Sequence, residues 1–296
     1  MAVAQKVDVS HPDASGLTIA PADGPFGAVV RGVDLRRPLD TETAGRIRVA
    51  LVTRGVVAFP DQKLDDDDLE RFSLTFGPFG DDPYIRPIPG RAHIAAIRRR
   101  ANETAPLFAE NWHSDWSFLE ISPAFTCLYG IDIPPVGGDT WFANQQMAYD
   151  RMPDALRARL EGVVAVHSAR GGYAPKGQYG EKDVGRSMDI VSSEDAMSTQ
   201  RHPLVRAHPE TGRRAIFSTH GYIIALENCE NGDALLREVV KWQTPEEVVY
   251  RHKWRPNMLV IWDNRVVLHR ATGGYDGHDR LLHRTTIADR RTDAAR

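Results

Sequence analysis

The sequence predicts a mainly β protein, a sandwich or barrel core decorated by helices. Short apolar runs bounded by turn residues recur along the whole chain, which is the pattern of an all-β core. Segments with helical periodicity are few and mostly early, as for helices laid over a sheet. At 296 residues and 42% hydrophobic content the chain can bury a sizeable core, as one large domain or two modest ones.

The elements follow in order. Residues 1–15 are polar and expected to be disordered. Ala28 to Val33 reads as a strand. Thr41 is placed to cap a helix that runs to Arg54 and stops at Gly55. Val56 to Phe59 is a strand closed by Pro60. Asp65 to Phe76 reads as an acid-started helix with Leu69, Phe72 and Phe76 toward the core. Residues 77–91 read as a loop, and His93 to Ile97 as a strand. Residues 101–111 form a polar loop. Ala124 to Ile133 is a strand, followed by a turn-rich connection over 134–140.

Short helices are expected at Gln145–Asp150 and Pro153–Glu161, and a strand at Val163–His167. Residues 171–199 are polar, contain several glycines and lack a clear period. A connection that long is a candidate lid. Leu204–Ala207 and Ala215–Thr219 flank a Glu-Thr-Gly turn and read as a hairpin. Ala234–Trp242 is helical. The last strands are Glu247–Trp254, Met258–Asp263, Val266–Ala271 and Leu281–Ala288.

Bulk properties exclude several classes. A net charge of −3 gives no basic field, so no nucleic-acid partner is expected. Arg98-Arg99-Arg100 reads as a solvated strand end. No apolar stretch approaches the roughly 18 residues that span a bilayer, and the start lacks the apolar segment of a secretory signal. Cys127 and Cys229 lie in unrelated contexts, which argues against a disulfide framework or a thiolate zinc site. No membrane partner and a cytoplasmic setting are expected.

Candidate chemistry lies in Trp112-His113-Ser114-Asp115 and in a distant His269. On an extended segment residues i and i+2 face one side, so His113 and Asp115 can supply two adjacent ligands. Two imidazoles and one carboxylate suit Fe(II) and leave coordination sites open. An H-x-D triplet alone means little, since His11-Pro12-Asp13 is another and His208-Pro209-Glu210 is an H-x-E in a turn. His283 is a rival third ligand, but it alternates out of phase with Arg280, Leu282 and Arg284. Those two arginines share a strand face, about 13 Å apart along the backbone. A guanidinium on an apolar strand needs an anion, and by default that anion is one of the forty protein carboxylates.

These motifs resemble the taurine dioxygenase / 2,4-dichlorophenoxyacetate dioxygenase family of Fe(II)- and 2-oxoglutarate-dependent oxygenases, over most of the chain. The resemblance is carried by Gly27-Ala28-Val29-Val30-Arg31-Gly32-Val33-Asp34-Leu35 and by Val57 to Gln62. It continues through Asn111 to Asp115, Gly137-Gly138-Asp139-Thr140, and Trp262-Asp263-Asn264 to His269 with Arg280 and Arg284. It implies a double-stranded β-helix (jelly-roll) core in a single domain over 16–296. It implies iron on His113, Asp115 and His269, and the distal carboxylate of 2-oxoglutarate on Thr140 and Arg280. Arg284 then meets the anionic group of the primary substrate, and Trp116, Phe118 and Tyr84 shape the rest.

The implied reaction couples O2 and 2-oxoglutarate to hydroxylation of a small organic anion, with release of succinate and CO2. A sulfonate, an alkyl sulfate or an aryloxy- or alkyl-carboxylate would serve. A homo-oligomer is expected. Where taurine enzymes carry a His and a Tyr after Phe-Gly and an Asn before the first ligand, this chain has Asp82, Ile85 and Ala109, which argues against taurine. Two other readings remain. One is a related oxygenase that hydroxylates or desaturates an amino-acid-like metabolite. The other is a non-catalytic jelly-roll anion-binding protein.

Overall fold

The structure, a computed structural model, describes residues 16–289. The expected disorder of residues 1–15, and the triplet His11-Pro12-Asp13 with it, lie outside the described residues. The first half of the chain contains β1 (Thr18–Pro21), β2 (Ala28–Arg31), α1 (Thr41–Arg54), β3 (Val56–Phe59), α2 (Asp66–Phe76), β4 (Ala95–Arg99), β5 (Pro123–Asp132) and β6 (Thr140–Asn144). Then come α3 (Gln145–Arg151), α4 (Asp154–Arg159), β7 (Val164–His167), α5 (Arg170–Tyr173), β8 (Gln200–Pro203), β9 (Val205–Ala207), β10 (Arg214–Ile216) and β11 (Ile223–Glu227). The chain closes with α6 (Gly232–Gln243), β12 (Val249–His252), β13 (Met258–Asp263), β14 (Val267–Ala271) and β15 (Arg280–Ala288).

A seven-stranded sheet, in the order β1-β2-β3-β13-β5-β15-β4, forms one wall of the jelly roll. Its strands alternate sharply between two apolar layers. Val57, Phe59, Phe125, Cys127, Leu259, Ile261 and Ile287 face a layer that also holds Ile47, Leu51, Leu69, Phe72 and Phe76 of α1 and α2. Val56, Ala58, Leu128, Val260, Trp262 and Leu282 face the opposite way, onto Phe142, Tyr250 and Val267 of the sheet β12-β6-β14. The period of two in a strand sends neighbouring residues to opposite layers. Because both faces are covered, the strands read in sequence as unbroken apolar runs.

The helix ends have local causes. Asp40, not Thr41, caps α1, accepting from the Thr43 N–H at 2.8 Å, and Gly55 ends the helix at φ 75°. Asp65 and Asp68 form a capping box at the start of α2. The hairpin read at 204–219 is β9 paired antiparallel with β10. Strands β1, β6, β8 and β11 were not anticipated. No helix among the described residues is long and apolar enough to cross a membrane.

The 171–199 segment carries α5 and the 3-10 turn Glu194–Met197, and it is tied to the loop after α2. The Arg86 N–H donates to the Asp189 carbonyl at 3.0 Å and the Val191 N–H to that of Tyr84 at 2.9 Å. Neither Arg100 nor Arg99 is a free strand end. Arg100 pairs with Asp279 at 3.0 Å. Arg99 donates to the Ala105 carbonyl at 2.8 Å and pairs with Glu103.

Candidate active site between the two sheets

His113 and Asp115 do not sit on a strand. His113 forms a single antiparallel bridge with His269, exchanging N–H···O bonds of 3.0 and 2.8 Å, and the chain turns at Asp115. The bridge does what a strand pair was expected to do. Residues directly opposite in an antiparallel pair project to the same side, so the two imidazoles come together with ring centroids 4.2 Å apart. The turn then brings Asp115 back, with Oδ1 at 3.7 Å from His113 Nε2 and 3.6 Å from His269 Nε2. One ligand atom from each residue lies within 4.8 Å of the others. Trp116 completes the turn at a positive φ of 44°, a conformation that costs a bulky residue about 1–3 kcal/mol.

The donor set fits a divalent iron. The His113 Nδ1 lies 2.8 Å from the Asn111 carbonyl, an arrangement that places the ring proton on Nδ1 and leaves the Nε2 lone pair for a metal. Burial holds the His113 imidazole below its usual range; burial, with His113 beside it, takes His269 down to about 3. Both rings are therefore neutral near pH 7, as ligands must be. Burial alone would raise the Asp115 carboxyl. His269, Arg284, His113 and the Thr126 hydroxyl outweigh burial and keep it ionised. A buried chain of hydrogen bonds orients it: Trp262 Nε1 donates to Asn264 Oδ1, Asn264 Nδ2 to Thr126 Oγ1, and Thr126 Oγ1 to Asp115 Oδ2 at 2.7 Å. Oδ1 is left for the metal. The sequence flagged Trp262-Asp263-Asn264 as a motif without revealing this role, and gave no sign of Thr126.

The rival ligand is elsewhere. His283 Nδ1 meets Asp66 Oδ1 at 2.7 Å, on the helix side of the sheet. His208, in its turn as expected, accepts the Glu210 and Thr211 N–H groups at Nδ1 and donates from Nε2 to Asp263 Oδ2 at 3.0 Å, next to Arg265. Asp263 is thus structural.

Thr140 and Arg280 line one cavity together with the three candidate ligands, Leu128, Trp262 and Ala271. Register places them there. Thr140 and Phe142 share a face of β6, and their β14 partners Ala271 and His269 share it too. The Thr140 hydroxyl accepts from Trp254 Nε1 at 2.9 Å, so its own proton is free to be donated. Gly138 at φ 69° permits the close packing of Arg280, since a Cβ there would lie 3.1 Å from Nε.

The two arginines differ in one decisive way. Arg280 is 6% exposed, donates to the Gly138 carbonyl at 3.1 Å and leaves Nε without a partner. No salt bridge to it exists among the described residues. Burial, only partly offset by Tyr275 and Asp139, pushes its pKa down. Arg284 is as buried, yet Nη2 holds Asp82 Oδ2 at 2.5 Å and Nη1 lies 4.0 Å from Asp115 Oδ1. The default for a buried arginine, a protein carboxylate, therefore applies to Arg284 and not to Arg280. Arg284, expected to meet the anionic group of the substrate, thus already holds a protein carboxylate.

Among the aromatic residues expected around the substrate, Trp116 lines a second chamber next to the ligands, with Arg284 beneath it. Tyr84 and Phe118 do not line it. They pack behind Trp116, with Tyr84 stacked on Tyr173 at 4.6 Å. The other walls are Phe108, Trp112, Tyr173, Tyr179 and Tyr222. Sequence reading missed these, although Tyr173 and Tyr179 lie in the segment already suspected as a lid. Its Gly171, Gly172 and Gln178 also line the chamber, and Arg186 and Met188 line the Arg280 cavity.

A jelly roll with two imidazoles and a carboxylate converging beside a buried, unpaired arginine defines the class of Fe(II)- and 2-oxoglutarate-dependent dioxygenases, and comparison with known proteins agrees. The profile of the taurine catabolism dioxygenase TauD, TfdA family matches residues 18–286, and the chain belongs to that family. It is 33% identical over 282 residues to the alpha-ketoglutarate-dependent 2,4-dichlorophenoxyacetate dioxygenase of Cupriavidus pinatubonensis, covering 89% of this chain and 95% of that one. It is 31% identical over 275 residues to an alkylsulfatase of Acinetobacter baylyi, covering 92% and 85%. The crystal structure of AAD-2 in complex with Mn(II) and N-oxalylglycine superposes with a TM-score of 0.72 at 29% identity, over 93% of this chain and 98% of that one. The protein is thus an oxidoreductase that uses Fe(II), 2-oxoglutarate and O2.

Proposed function

We propose that the protein hydroxylates a C–H bond of a small organic anion at the site formed by His113, Asp115 and His269, with 2-oxoglutarate anchored by Arg280 and Thr140. The observation that carries this reading is the unpaired guanidinium of Arg280 in the same cavity as the three convergent ligand atoms. A buried cation without a counter-charge costs several kcal/mol, and a dicarboxylate that chelates a metal at one end supplies the missing anion at the other. Iron, when bound, supplies the redox chemistry by which O2 oxidises 2-oxoglutarate to succinate and CO2 and the substrate C–H to C–OH.

The chain's own residues do the rest. Thr126 and Asn264 hold the Asp115 carboxylate in place. Thr140 donates to the co-substrate carboxylate. Trp116, Tyr173 and Tyr222 keep water from the reacting carbon and present ring faces to the organic part of the substrate. The relatives' names, a dichlorophenoxyacetate dioxygenase and an alkylsulfatase, support an anionic substrate, and the aromatic chamber supports an aryl or alkyl body. The 171–199 segment would act as its lid. Oxygen uptake and succinate formation with Fe(II) and 2-oxoglutarate alone test the reading, because uncoupled turnover needs no primary substrate. A protein that binds both yet forms no succinate, with or without a panel of sulfonates, sulfates and aryloxyacetates, would instead be a binding protein.

A further inference from the structure

The Arg284 guanidinium lines both the Arg280 cavity and the aromatic chamber, the latter with Trp116, Tyr173 and Tyr222. Its partner Asp82 lines a separate recess, with Gly80, Asp81, His93 and Thr286. Asp82 reaches Arg284 from this outer recess and lines neither the chamber nor the Arg280 cavity. Its Oδ2 holds Nη2, while its Oδ1 is buried without a hydrogen-bond partner. The Arg284 Nε is equally without a partner.

Charge makes this arrangement consequential. Arg284 already faces two carboxylates, Asp82 and, at 4.0 Å, Asp115. A substrate anion arriving from the chamber would be the third on one guanidinium in a site of low polarity, where like charges repel strongly. Asp82 is the one of the two that has somewhere to go. Asp115 is held by Thr126 and by its place among the ligand residues. The Asp82 side chain keeps 22% exposure and borders the outer recess, and Arg284 is the sole hydrogen-bonding partner of its carboxylate among the described residues.

We propose that Asp82 is a specificity-determining residue, an internal competitor for Arg284 that the anionic group of the substrate must displace toward the outer recess. This rests on the anionic-substrate reading above and deepens it. A weak or poorly positioned anion does not dislodge Asp82, whereas one whose organic body fills the aromatic chamber does. Asp82 thereby makes anion binding conditional on a fitting body.

The test is binding of phenoxyacetate, benzenesulfonate and hexyl sulfate, with neutral phenoxyacetamide as control. Binding is read from the perturbation of the visible absorption of the anaerobic Fe(II)–2-oxoglutarate enzyme. Asp82→Asn keeps the shape and removes the charge, and Asp82→Ser serves if that variant folds poorly. Competition predicts that the anions bind about tenfold tighter or more to the variant, the scale of one charge-assisted hydrogen bond. Phenoxyacetamide should change little. Unchanged or weaker anion binding, with the absorption band of the iron complex intact, would overturn the proposal and leave Asp82 as a support that merely positions Arg284. If no anion perturbs the band in either protein, the proposal falls with the anionic-substrate reading, while the band itself leaves the iron and 2-oxoglutarate assignment standing.

Discussion

Replacing Arg280 by Leu separates a binding role from a structural one. The change keeps most of the side-chain volume and removes the charge. Arg280 is 6% exposed and lacks a salt bridge among the described residues, so its removal relieves a desolvated cation. Replacing such a charge by an apolar group is neutral or stabilising, and the ligand-free protein should melt no lower than wild type. The effect belongs to the complex. One charge-assisted bond contributes about 1.5–3 kcal/mol, so a loss of about 2 kcal/mol weakens 2-oxoglutarate roughly thirtyfold.

At a concentration of N-oxalylglycine one hundred times its wild-type Kd, binding stabilises wild type by about 2.7 kcal/mol and the variant by only about 0.9. The assay is a pair of melts with Mn(II), with and without N-oxalylglycine. An undiminished ligand-induced shift in the variant would remove Arg280 from this role. Arg284→Leu should behave oppositely. It strands Asp82 and should cost the ligand-free protein about 3 kcal/mol.

Other predictions are independent of that one. Thr126→Val leaves Asp115 Oδ2 and Asn264 Nδ2 unpaired and should weaken Fe(II) about tenfold to a hundredfold, read by anaerobic titration; unchanged affinity would deny Thr126 an orienting role. His269→Ala should abolish the visible band of the Fe(II)–2-oxoglutarate complex and His283→Ala should retain it, since His283 pairs with Asp66; the reverse pattern would make His283 the third ligand. Burial holds His252 at about 3, against about 6.5 in the unfolded chain. The unfolded state then binds a proton the fold excludes, so stability is complete above about pH 6.5 and falls on acidification toward 3. His252→Gln should remove about 2 kcal/mol of the stability lost between pH 6.5 and 5 in urea melts of the metal-free protein, and an identical pH dependence in both proteins would refute it. Trypsin should cut near Lys182 more slowly once Mn(II), N-oxalylglycine and a binding anion are present, if 171–199 closes over the chamber; equal rates would make the segment a static wall.

The strands of the core were legible because each is an apolar run with turn residues at its ends, as Val56–Phe59 and Met258–Asp263 illustrate. Strands β8 (Gln-Arg-His-Pro) and β1 were not, because neither is an unbroken apolar run. Strand β6 was hidden behind a turn motif, since Gly137-Gly138 does form the turn but Thr140 already belongs to the strand. The candidate ligands were legible as residue types at a spacing, although the device that unites them, a one-residue bridge followed by a turn at positive φ, differs from the extended pair inferred. Arg280 and Arg284 share a face as their period requires. Their sequence neighbourhood carries no trace of Asp82, 202 residues away, which divides their fates. The chamber aromatics Tyr173, Tyr179 and Tyr222 were illegible for the same reason: contact at long separation leaves no local pattern.

The central claim is that iron and 2-oxoglutarate meet between His113, Asp115, His269 and Arg280. A crystal grown with Mn(II) and N-oxalylglycine, with diffraction recorded to locate the manganese by anomalous scattering, tests it most directly. The account predicts one manganese peak bonded to His113 Nε2, His269 Nε2 and Asp115 Oδ1, with the distal carboxylate of N-oxalylglycine on Arg280 and the Thr140 hydroxyl. Manganese bound at Asp66 and His283, or the distal carboxylate seated on Arg284 with Arg280 still unpaired, would contradict it.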